Sequence, residues 1–361
     1  MLMELEQMYK PLVSVMVPNY NYGIYLENCL ESLYNQTYDN FEVIFRDNRS
    51  TDDSYNIALK YREKFLKRGV FCSVSQNKYN LGSNLNSRLC TRDIGGELIY
   101  TLASDDAVKA EFIERCVGVF SHNQTIGSVM VHREIVDENG ISTQEPSFYN
   151  QDCVIPGEEQ AAVHMMAGIA IPGQRMINQK ANGIVKNFWR SFQVAGDWFE
   201  NFLFACAADV AYIKDPLCQY RVHSGNETSE SELNLLGVFE HYQLINCFKS
   251  IADSLGMTKP QERYNEAVYK LGDMCLRYTM KMLKNGYIEP ARRYLQLAPV
   301  FKNEIVKNEQ YIMFTQCLNL SGMDLQDKLK QIESIIPLKR IVSYDPPEGF
   351  LPIDKNGRVI K

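Results

Sequence analysis

Short apolar runs alternate with amphipathic stretches over the first 133 residues of the chain. Val13 to Val17 is β-branched and predicts a buried strand, after which Leu26, Leu30 and Leu33 recur at helical spacing. Further strands are predicted at 41–45, 70–74, 98–103 and 127–132, with helices between them. This β-α-β order predicts a mostly parallel sheet with helices on both faces.

The pattern becomes purely helical from about residue 231. Apolar side chains recur there at spacings of three and four, as in the series Leu244, Phe248, Ile251 and Leu255. We therefore expect an α-helical region over 231–345, which either packs on the first domain or mediates self-association into a homo-oligomer. Pro346 and Pro347 predict a loose, extended tail over 346–361.

Composition restricts the functional classes. The 361 residues carry a net charge of −6, which gives no support for nucleic-acid binding. The ten cysteines include no C-x-x-C pair, as expected for reduced core residues of a cytosolic protein. Residues 1–10 lack the features of a signal peptide, and no apolar run reaches the ~20 residues of a membrane span. We expect a cytoplasmic protein that is at most peripheral at the inner face of the membrane.

Polar residues gather where the predicted strands end: 19–21, Asp47, Asn80 and the adjacent pair Asp105 and Asp106. The carboxyl ends of strands in open α/β sheets are where ligands bind. Two adjacent carboxylates suit a divalent cation, which in turn suits a diphosphate. The same pair could instead cap a helix beginning near Lys109, and these residues alone leave both interpretations open.

Other local patterns narrow the choice of ligand. Ser50 and Asp53 have the spacing of a capping box for the helix that follows, but this does not account for Asp47. No G-x-G-x-x-G follows the first strand, and no G-x-x-x-x-G-K-[ST] loop occurs. A bound phosphate must therefore be held by a metal or by side chains.

Four segments, in order, carry a resemblance to a known family: Val-Ser-Val-Met-Val-Pro-Asn-Tyr-Asn (13–21), Asp-Asn-Arg-Ser-Thr-Asp (47–52), Asn-Leu-Gly (80–82), and the strand from Gly96 that ends in Ser104-Asp105-Asp106. They are similar to the opening strand, the D-[DN]-x-S-x-D motif, the N-x-G motif and the D-x-D-type motif of the inverting family 2 glycosyltransferases, which have the GT-A fold. The chain resembles this family over residues 11 to 226, although Ala103 stands where many members have the first Asp of D-x-D.

The resemblance implies a GT-A domain over 11–230, with a nucleotide-sugar half over 11–133 and an acceptor half over 134–230. It implies that Asp47 binds the base, with uracil favoured, and that Asp105 contacts the ribose or a phosphate. Asp106 would ligate Mg²⁺ or Mn²⁺ bridging the diphosphate. The donor-binding residues implied are Pro18, Asn19, Tyr20, Asp47, Asn80, Gly82, Ser104, Asp105 and Arg221.

Asp197 is the candidate catalytic base. It follows Gly196 at the head of a strongly apolar helix, where a carboxylate could be an N-cap or, partly desolvated among aromatic side chains, a base. The resemblance favours the base, because the family carries an acidic residue heading a helix at this point, often as Glu-Asp where this chain has Gly-Asp. For Arg175 we favour an ion pair with a surface carboxylate over contact with an anionic acceptor.

The segment Tyr220-Arg221-Val222-His223 is similar to the family's Y-R-x-H segment. The resemblance implies that His223 ligates the metal or contacts the diphosphate. Arg221 and a flexible loop over 224–226 favour a diphosphate contact.

These observations predict a metal-dependent, inverting glycosyltransferase that uses a nucleotide-diphosphate sugar, with UDP favoured as the nucleotide. Its acceptor would be a glycan or a lipid-linked molecule in cell-surface polysaccharide or glycoconjugate synthesis. Two alternatives remain: a nucleotidyltransferase that makes nucleotide sugars, although the loop after the first strand lacks that class's Gly-rich basic sequence, and a non-catalytic sugar-nucleotide or protein-binding module. Peripheral membrane contact is kept open, although no strongly basic face is evident.

Overall fold

A parallel four-stranded sheet forms the first half of the molecule. The computed structural model describes residues 10–169, 172–185, 192, 195–223, 233–335 and 342–360. The first elements are β1 (Val13–Asn19), α1 (Gly23–Tyr34), β2 (Phe41–Asp47), α2 (Ser54–Lys67), β3 (Phe71–Gln76), α3 (Ser83–Cys90) and β4 (Leu98–Thr101). The strands lie in the order β3-β2-β1-β4 and all pair in parallel. The prediction of an α/β fold is confirmed by this order. Its physical reason is that parallel strands are buried on both faces and need helical connections to cover them.

The second half extends the same sheet and makes it mixed. Its elements are β5 (Ala107–Val108), α4 (Phe112–His122), β6 (Ile126–Val136), β7 (Ser142–Thr143), β8 (Cys153–Ile155), α5 (Gly157–Met166), a 3₁₀ turn (Pro172–Gln174), β9 (Arg175–Asn178), α6 (Gln179–Val185), α7 (Gly196–Ala207) and β10 (Asp209–Arg221). β9 lies between β4 and β6 and is antiparallel to both. β10 runs parallel to β6 with register shifts on either side of Pro216, a residue that cannot donate to the ladder.

The helical region packs directly on the α/β domain. It comprises α8 (Leu236–Leu255), α9 (Thr258–Glu262), α10 (Tyr264–Lys284), α11 (Ile288–Phe301), a 3₁₀ helix (Asn303–Lys307), α12 (Glu309–Cys317) and α13 (Gly322–Ile335). Phe248 of α8 stacks on Phe202 of α7 with 3.9 Å between ring centroids. The two regions share one hydrophobic cluster that runs from Met130 to Ile332. The expectation that the helices pack on the first domain is confirmed. Over the described residues, no helix is both long and apolar enough to cross a membrane.

The prediction of a loose tail is wrong. Residues 342–360 return to the α/β domain, where β11 (Leu351–Pro352) pairs antiparallel with β8. Ile353 is buried in the hydrophobic cluster of the first half. The two prolines before β11 indicated where a helix could not continue, but the pairing partner lies almost two hundred residues away and leaves no local signal.

Two tail glycines test this docking. Both adopt positive φ, 82° at Gly357 and 76° at Gly349, so alanine is strained equally at either position. A Cβ at Gly357 would lie 2.6 Å from the Val119 backbone nitrogen, whereas one at Gly349 would meet only the Pro156 side chain at 3.4 Å. We expect Gly357→Ala to lower the free energy of unfolding by about 1–3 kcal/mol more than Gly349→Ala, measured by urea denaturation. Equal losses would contradict the docked tail.

Candidate active site

The Asp47 carboxylate lies at the end of β2 and organises the loops around it. Asp47 is fully buried. Its Oδ1 accepts hydrogen bonds from Asn19 Nδ2 at 2.9 Å and from the Ser50 hydroxyl. Its Oδ2 accepts from the Ser50 backbone N–H at 2.9 Å and from Gln76 Nε2 at 2.8 Å. A carboxylate offers about four acceptor positions, so Asp47 is fully used in joining the ends of β1, β2 and β3.

The predicted capping box is wrong. Helix α2 begins at Ser54, and Asp53 makes no side-chain cap bond. Ser50 instead donates its hydroxyl to Asp47 and accepts from the Asn21 backbone N–H at 2.9 Å. The tertiary partner at the end of β2 therefore takes the serine away from the local motif.

A network of asparagine amides shapes the neighbouring loop, and sequence analysis found only one of its members. Asn48 donates to Asn80 Oδ1 at 2.8 Å, and its own Oδ1 accepts from Asn77 and from the Leu81 backbone N–H. Asn80 also accepts from the Gly82 backbone N–H. Gly82 has φ +79° at the start of α3, a conformation that favours glycine. The abundance of asparagine at strand ends was the available signal for this network.

Tyr20, directly after β1, has an aromatic ring that is open to solvent. Tyr20 is 41% exposed beside the buried Asn19 and the half-buried Pro18. The ring is therefore free to stack on a flat ligand next to the loops that Asp47 holds.

Asp105 and Asp106 do not cap a helix. They are followed by β5, and α4 begins only at Phe112. Asp106 is buried, and its Oδ1 accepts the Arg221 backbone N–H at 2.8 Å. Burial and the adjacent charge of Asp105 raise the pKa of Asp106 to about 7. Next to it, the buried Ser104 hydroxyl has no hydrogen-bond partner within the described residues.

Arg221 and His223 close this end of the sheet. Arg221 donates Nε to the Asp105 carbonyl and Nη1 to the Asp137 carbonyl, both at 2.9 Å. His223 Nε2 lies 3.2 Å from Asp105 Oδ2. The rings of Tyr22 and Tyr25, at the start of α1, lie against the His223 imidazole. The loop predicted over 224–226 lies outside the described residues.

The residues at this end of the sheet fit a divalent cation that is shared with a ligand. Among the described residues, no group of three or more His, Cys, Asp or Glu side chains is arranged to hold a metal by itself. Asp105 and His223 nevertheless bring an oxygen and a nitrogen to one point, and Asp106 adds a buried carboxylate. Mg²⁺ is usually held by one or two carboxylates together with substrate phosphates, and the carboxylates here would supply the protein's part of such a set.

Asp197 lies in the first turn of α7 rather than at its cap, which is Ala195. Burial raises the pKa of the Asp197 carboxyl to about 6, with a smaller contribution from Glu200, while the charge of Arg175 opposes the shift. A carboxylate whose pKa approaches neutrality suits proton transfer. The raised pKa is compatible with a general base, and the assignment of Asp197 as that base stays a prediction.

The 3₁₀ turn and the first residue of β9 link the surroundings of Asp106 to those of Asp197. Arg175 is buried, forms an ion pair with the partly exposed Glu200 at 2.6 Å and lies 4.8 Å from the Phe204 ring. The predicted surface carboxylate is therefore Glu200, although Arg175 itself is inside. Two residues earlier, Gly173 faces Asp106: a Cβ there would lie 3.2 Å from Asp106 Oδ2. Gly173 and Arg175 are at most about 7 Å apart, because they are two residues apart in the chain. Gly173 faces Asp106, and the charge of Arg175 lowers the pKa of Asp197. Both carboxylates therefore lie near the same short segment.

Comparison with known proteins shows the family and the fold that this chain resembles. Residues 14–188 match the family model of glycosyl transferase family 2. An uncharacterized glycosyltransferase of Nostoc is 27% identical over 260 residues, which cover 65% of this chain and 75% of that protein. Chondroitin synthase of Escherichia coli is also 27% identical, over 76% of this chain but only 37% of the synthase.

Solved structures show the same fold. TarS of S. aureus in complex with UDP-GlcNAc aligns with a TM-score of 0.53 at 16% identity, over 84% of this chain and 90% of that one. A mannosyltransferase of Pyrobaculum calidifontis in complex with GDP-Man and Mn²⁺ aligns with a TM-score of 0.53 at 15% identity, over 91% and 87%. The fold is thus of the GT-A type. Residues 14–188 therefore belong to glycosyl transferase family 2, and the chain is a glycosyltransferase.

Proposed function

We propose that this chain transfers a sugar from a nucleotide-diphosphate sugar to an acceptor hydroxyl, with a divalent cation and with inversion at the anomeric carbon. The observation that carries the proposal is the gathering of Asp105, Asp106 and His223 at the ends of β4 and β10, with Gly173 facing Asp106 and the charge of Arg175, two residues later, acting on Asp197. The complexes of TarS with UDP-GlcNAc and of the mannosyltransferase with GDP-Man and Mn²⁺ support a nucleotide-sugar donor.

Asp106 and His223 are the side chains that would hold Mg²⁺ or Mn²⁺, with Asp105 beside them. His223 Nε2 lies against Asp105, and Asp106 Oδ1 accepts the Arg221 backbone N–H. Asp106 therefore also fixes the end of β10, two residues before His223. A bound cation would neutralise the charge that develops on the departing diphosphate.

Asp197 is the group that would take the proton. The acceptor oxygen attacks the anomeric carbon from the face opposite the diphosphate, and the bond to the diphosphate breaks with its electron pair on the phosphate oxygen. The acceptor proton passes to the Asp197 carboxylate. Burial favours this protonated form, because it removes a charge from an apolar environment.

The donor pocket lies on the side of β1 and β2. Tyr20 is the exposed ring available to stack on the base, with Pro18 and Asn19 beside it. Asp47, with its acceptor positions occupied, acts by holding these loops, while Asn80 and Gly82 shape the adjacent loop. Uridine remains the favoured base, and the donor and acceptor halves are proposed to divide at residue 133 within a domain ending near 230.

Synthesis of a cell-surface polysaccharide or glycoconjugate is the proposed setting, supported by the likeness to chondroitin synthase over part of that enzyme. The acceptor is proposed to be a glycan, free or lipid-linked. Self-association through the helices and peripheral contact with the inner face of the membrane stay predictions.

The catalytic base can be tested by pH and by substitution. With the pKa of Asp197 raised to about 6, the base is ionised above that pH, so we expect kcat/KM to fall as the pH drops below about 6. Asp197→Asn should lower kcat by at least about a hundredfold while nucleotide-sugar binding, measured by calorimetric titration, is unchanged.

A neighbouring carboxylate supplies the control for the base. The negative charge of Glu200 contributes to the raised pKa of Asp197, so Glu200→Gln should retain turnover and move the acidic limb to lower pH. Transfer that persists in Asp197→Asn, or an acidic limb that Glu200→Gln leaves in place, would mean that another group is the base.

Thermal unfolding with nucleotides tests the metal and the donor together. We expect UDP or a UDP-sugar to raise the melting temperature more with Mn²⁺ than with EDTA, because ligand at about 100 times Kd adds about 2.7 kcal/mol to the stability. Asp105→Asn should remove the Mn²⁺-dependent part. Asp39→Asn, at an exposed carboxylate that pairs with Lys10 before β2, is the control. No shift with any nucleotide and metal would contradict the proposal.

The role of Asp47 as a loop anchor makes a separate prediction. Asp47 accepts four hydrogen bonds with its two oxygens, and Asp47→Asn replaces one of these oxygens with an NH₂ group that can only donate. We therefore expect a loss of about 2–3 kcal/mol in unfolding free energy. Nucleotide binding should also weaken. Asp53→Asn, at the exposed start of α2, should change neither, because Asn serves equally well there. An Asp47→Asn protein of native stability that fails to bind nucleotide would point to direct base contact instead.

A further inference from the structure

A cavity lies between the α/β domain and the helical region. It has a volume of about 870 Å³, within the range of ligand pockets. β6 and α5 form one wall, α10 forms another, and the returning tail contributes Tyr344. The residues that line it include none of Asp47, Asp105, Asp106 or His223, so it is separate from the proposed donor pocket.

Two residues that line the cavity, Gln174 and Gly168, adjoin the surroundings of Asp106 and Asp197. Gln174 lines it and adjoins Gly173, which faces Asp106. Gly168 also lines it, and a Cβ there would lie 3.3 Å from the Trp198 ring, next to Asp197 in α7. A molecule in the cavity could therefore extend one end toward the proposed base.

Positive and negative side chains are nearly equal in number on the walls of the cavity. The lining carries four Lys or Arg and five Asp or Glu. Lys302 pairs with Asp273 and Arg263 with Glu266, each at 3.0 Å. Lys270 donates to the Met166 carbonyl at 2.9 Å. The cavity thus offers no cluster of excess positive charge for a phosphorylated or acidic ligand, and its nine charged groups are unsuited to a lipid chain.

Aromatic faces lie among these polar groups. Tyr269 of α10 is 51% exposed and Tyr344 of the tail is 46% exposed, with the Phe148 ring 5.3 Å from Tyr344. Flat rings beside carboxylates suit a sugar, whose C–H face packs on an aromatic ring while its hydroxyls donate to acidic oxygens.

We propose that this cavity binds an uncharged oligosaccharide, the non-reacting part of the acceptor. The inference rests on the proposed function and adds the acceptor class to it. The helical region and the tail then take part in choosing the acceptor, and binding at a distance from the reacting hydroxyl helps to hold that hydroxyl near Asp197.

Direct binding tests this proposal with the full chain. Short linear oligomers of glucose, mannose and N-acetylglucosamine would be titrated by calorimetry, beside uronic-acid oligomers and phosphatidylcholine vesicles. We expect at least one uncharged series to bind and Tyr269→Ala to weaken it about tenfold. The matched control is Tyr287→Ala, a tyrosine 47% exposed at the start of α11 and outside the cavity lining, which should bind as the unchanged protein does.

A second variant fills the space instead of removing a contact. Ala162→Phe, on the cavity side of α5, should weaken oligosaccharide binding as well, while the Mn²⁺-dependent nucleotide shift remains. Binding of only the acidic oligomers or the vesicles, no binding of any uncharged oligomer, or equal binding by Tyr269→Ala and Tyr287→Ala would overturn the proposal. If the unchanged protein bound an oligosaccharide but showed no Mn²⁺-dependent rise in melting temperature with any nucleotide, the proposed function would be refuted instead.

Discussion

One buried hydrogen bond, from the Arg221 backbone to the Asp106 carboxylate, joins the end of β4 to the end of β10 across 115 residues of sequence. A charge in this position is costly, as the raised pKa of Asp106 indicates. The bond offsets part of that cost and fixes the direction in which the chain leaves β10. His223 faces Asp105 because of it. The geometry of the proposed cation site thus depends on a carboxylate that is itself a proposed ligand of the cation.

Buried carboxylates in this domain differ by how their oxygens are satisfied. Asp47 accepts four hydrogen bonds and acts as a junction between three strands. Asp197 is half-buried, and burial is the largest cause of its raised pKa. A satisfied carboxylate stabilises the fold, whereas an enclosed and poorly compensated one is prepared to accept a proton. The same residue type is therefore proposed to support different roles within one domain, Asp47 at the end of a strand and Asp197 in helix α7.

The parallel first half of the sheet could be predicted because its strands and helices carry their own periodic signals, as Val13 to Val17 and Leu26 to Leu33 do, whereas the short strands that make the sheet mixed carry none. The errors have a common cause. The local pattern around Ser50 predicted a helix cap, but Ser50 donates to Asp47 instead. The prolines predicted a loose tail, but the tail pairs with the edge of β8. The asparagine network around Asn48 was missed because its partners lie on separate loops. Asp105 was found from its position after a predicted strand and His223 from the family resemblance, but their contact could not be predicted, since 118 residues separate them.

The division into a catalytic domain and a helical appendage does not match the division of the core. One hydrophobic cluster holds the first half of the sheet together with Ile353 from the tail, and the other joins α7 and β10 to the C-terminal helices. Each half of the α/β domain is thus completed by C-terminal chain. Sequences beyond the family's usual domain hold β8, α5 and α7 in position, and α7 carries Asp197. Variation in those helices would therefore alter both the shape of the cavity and the support of the proposed base, without changing any donor-side residue.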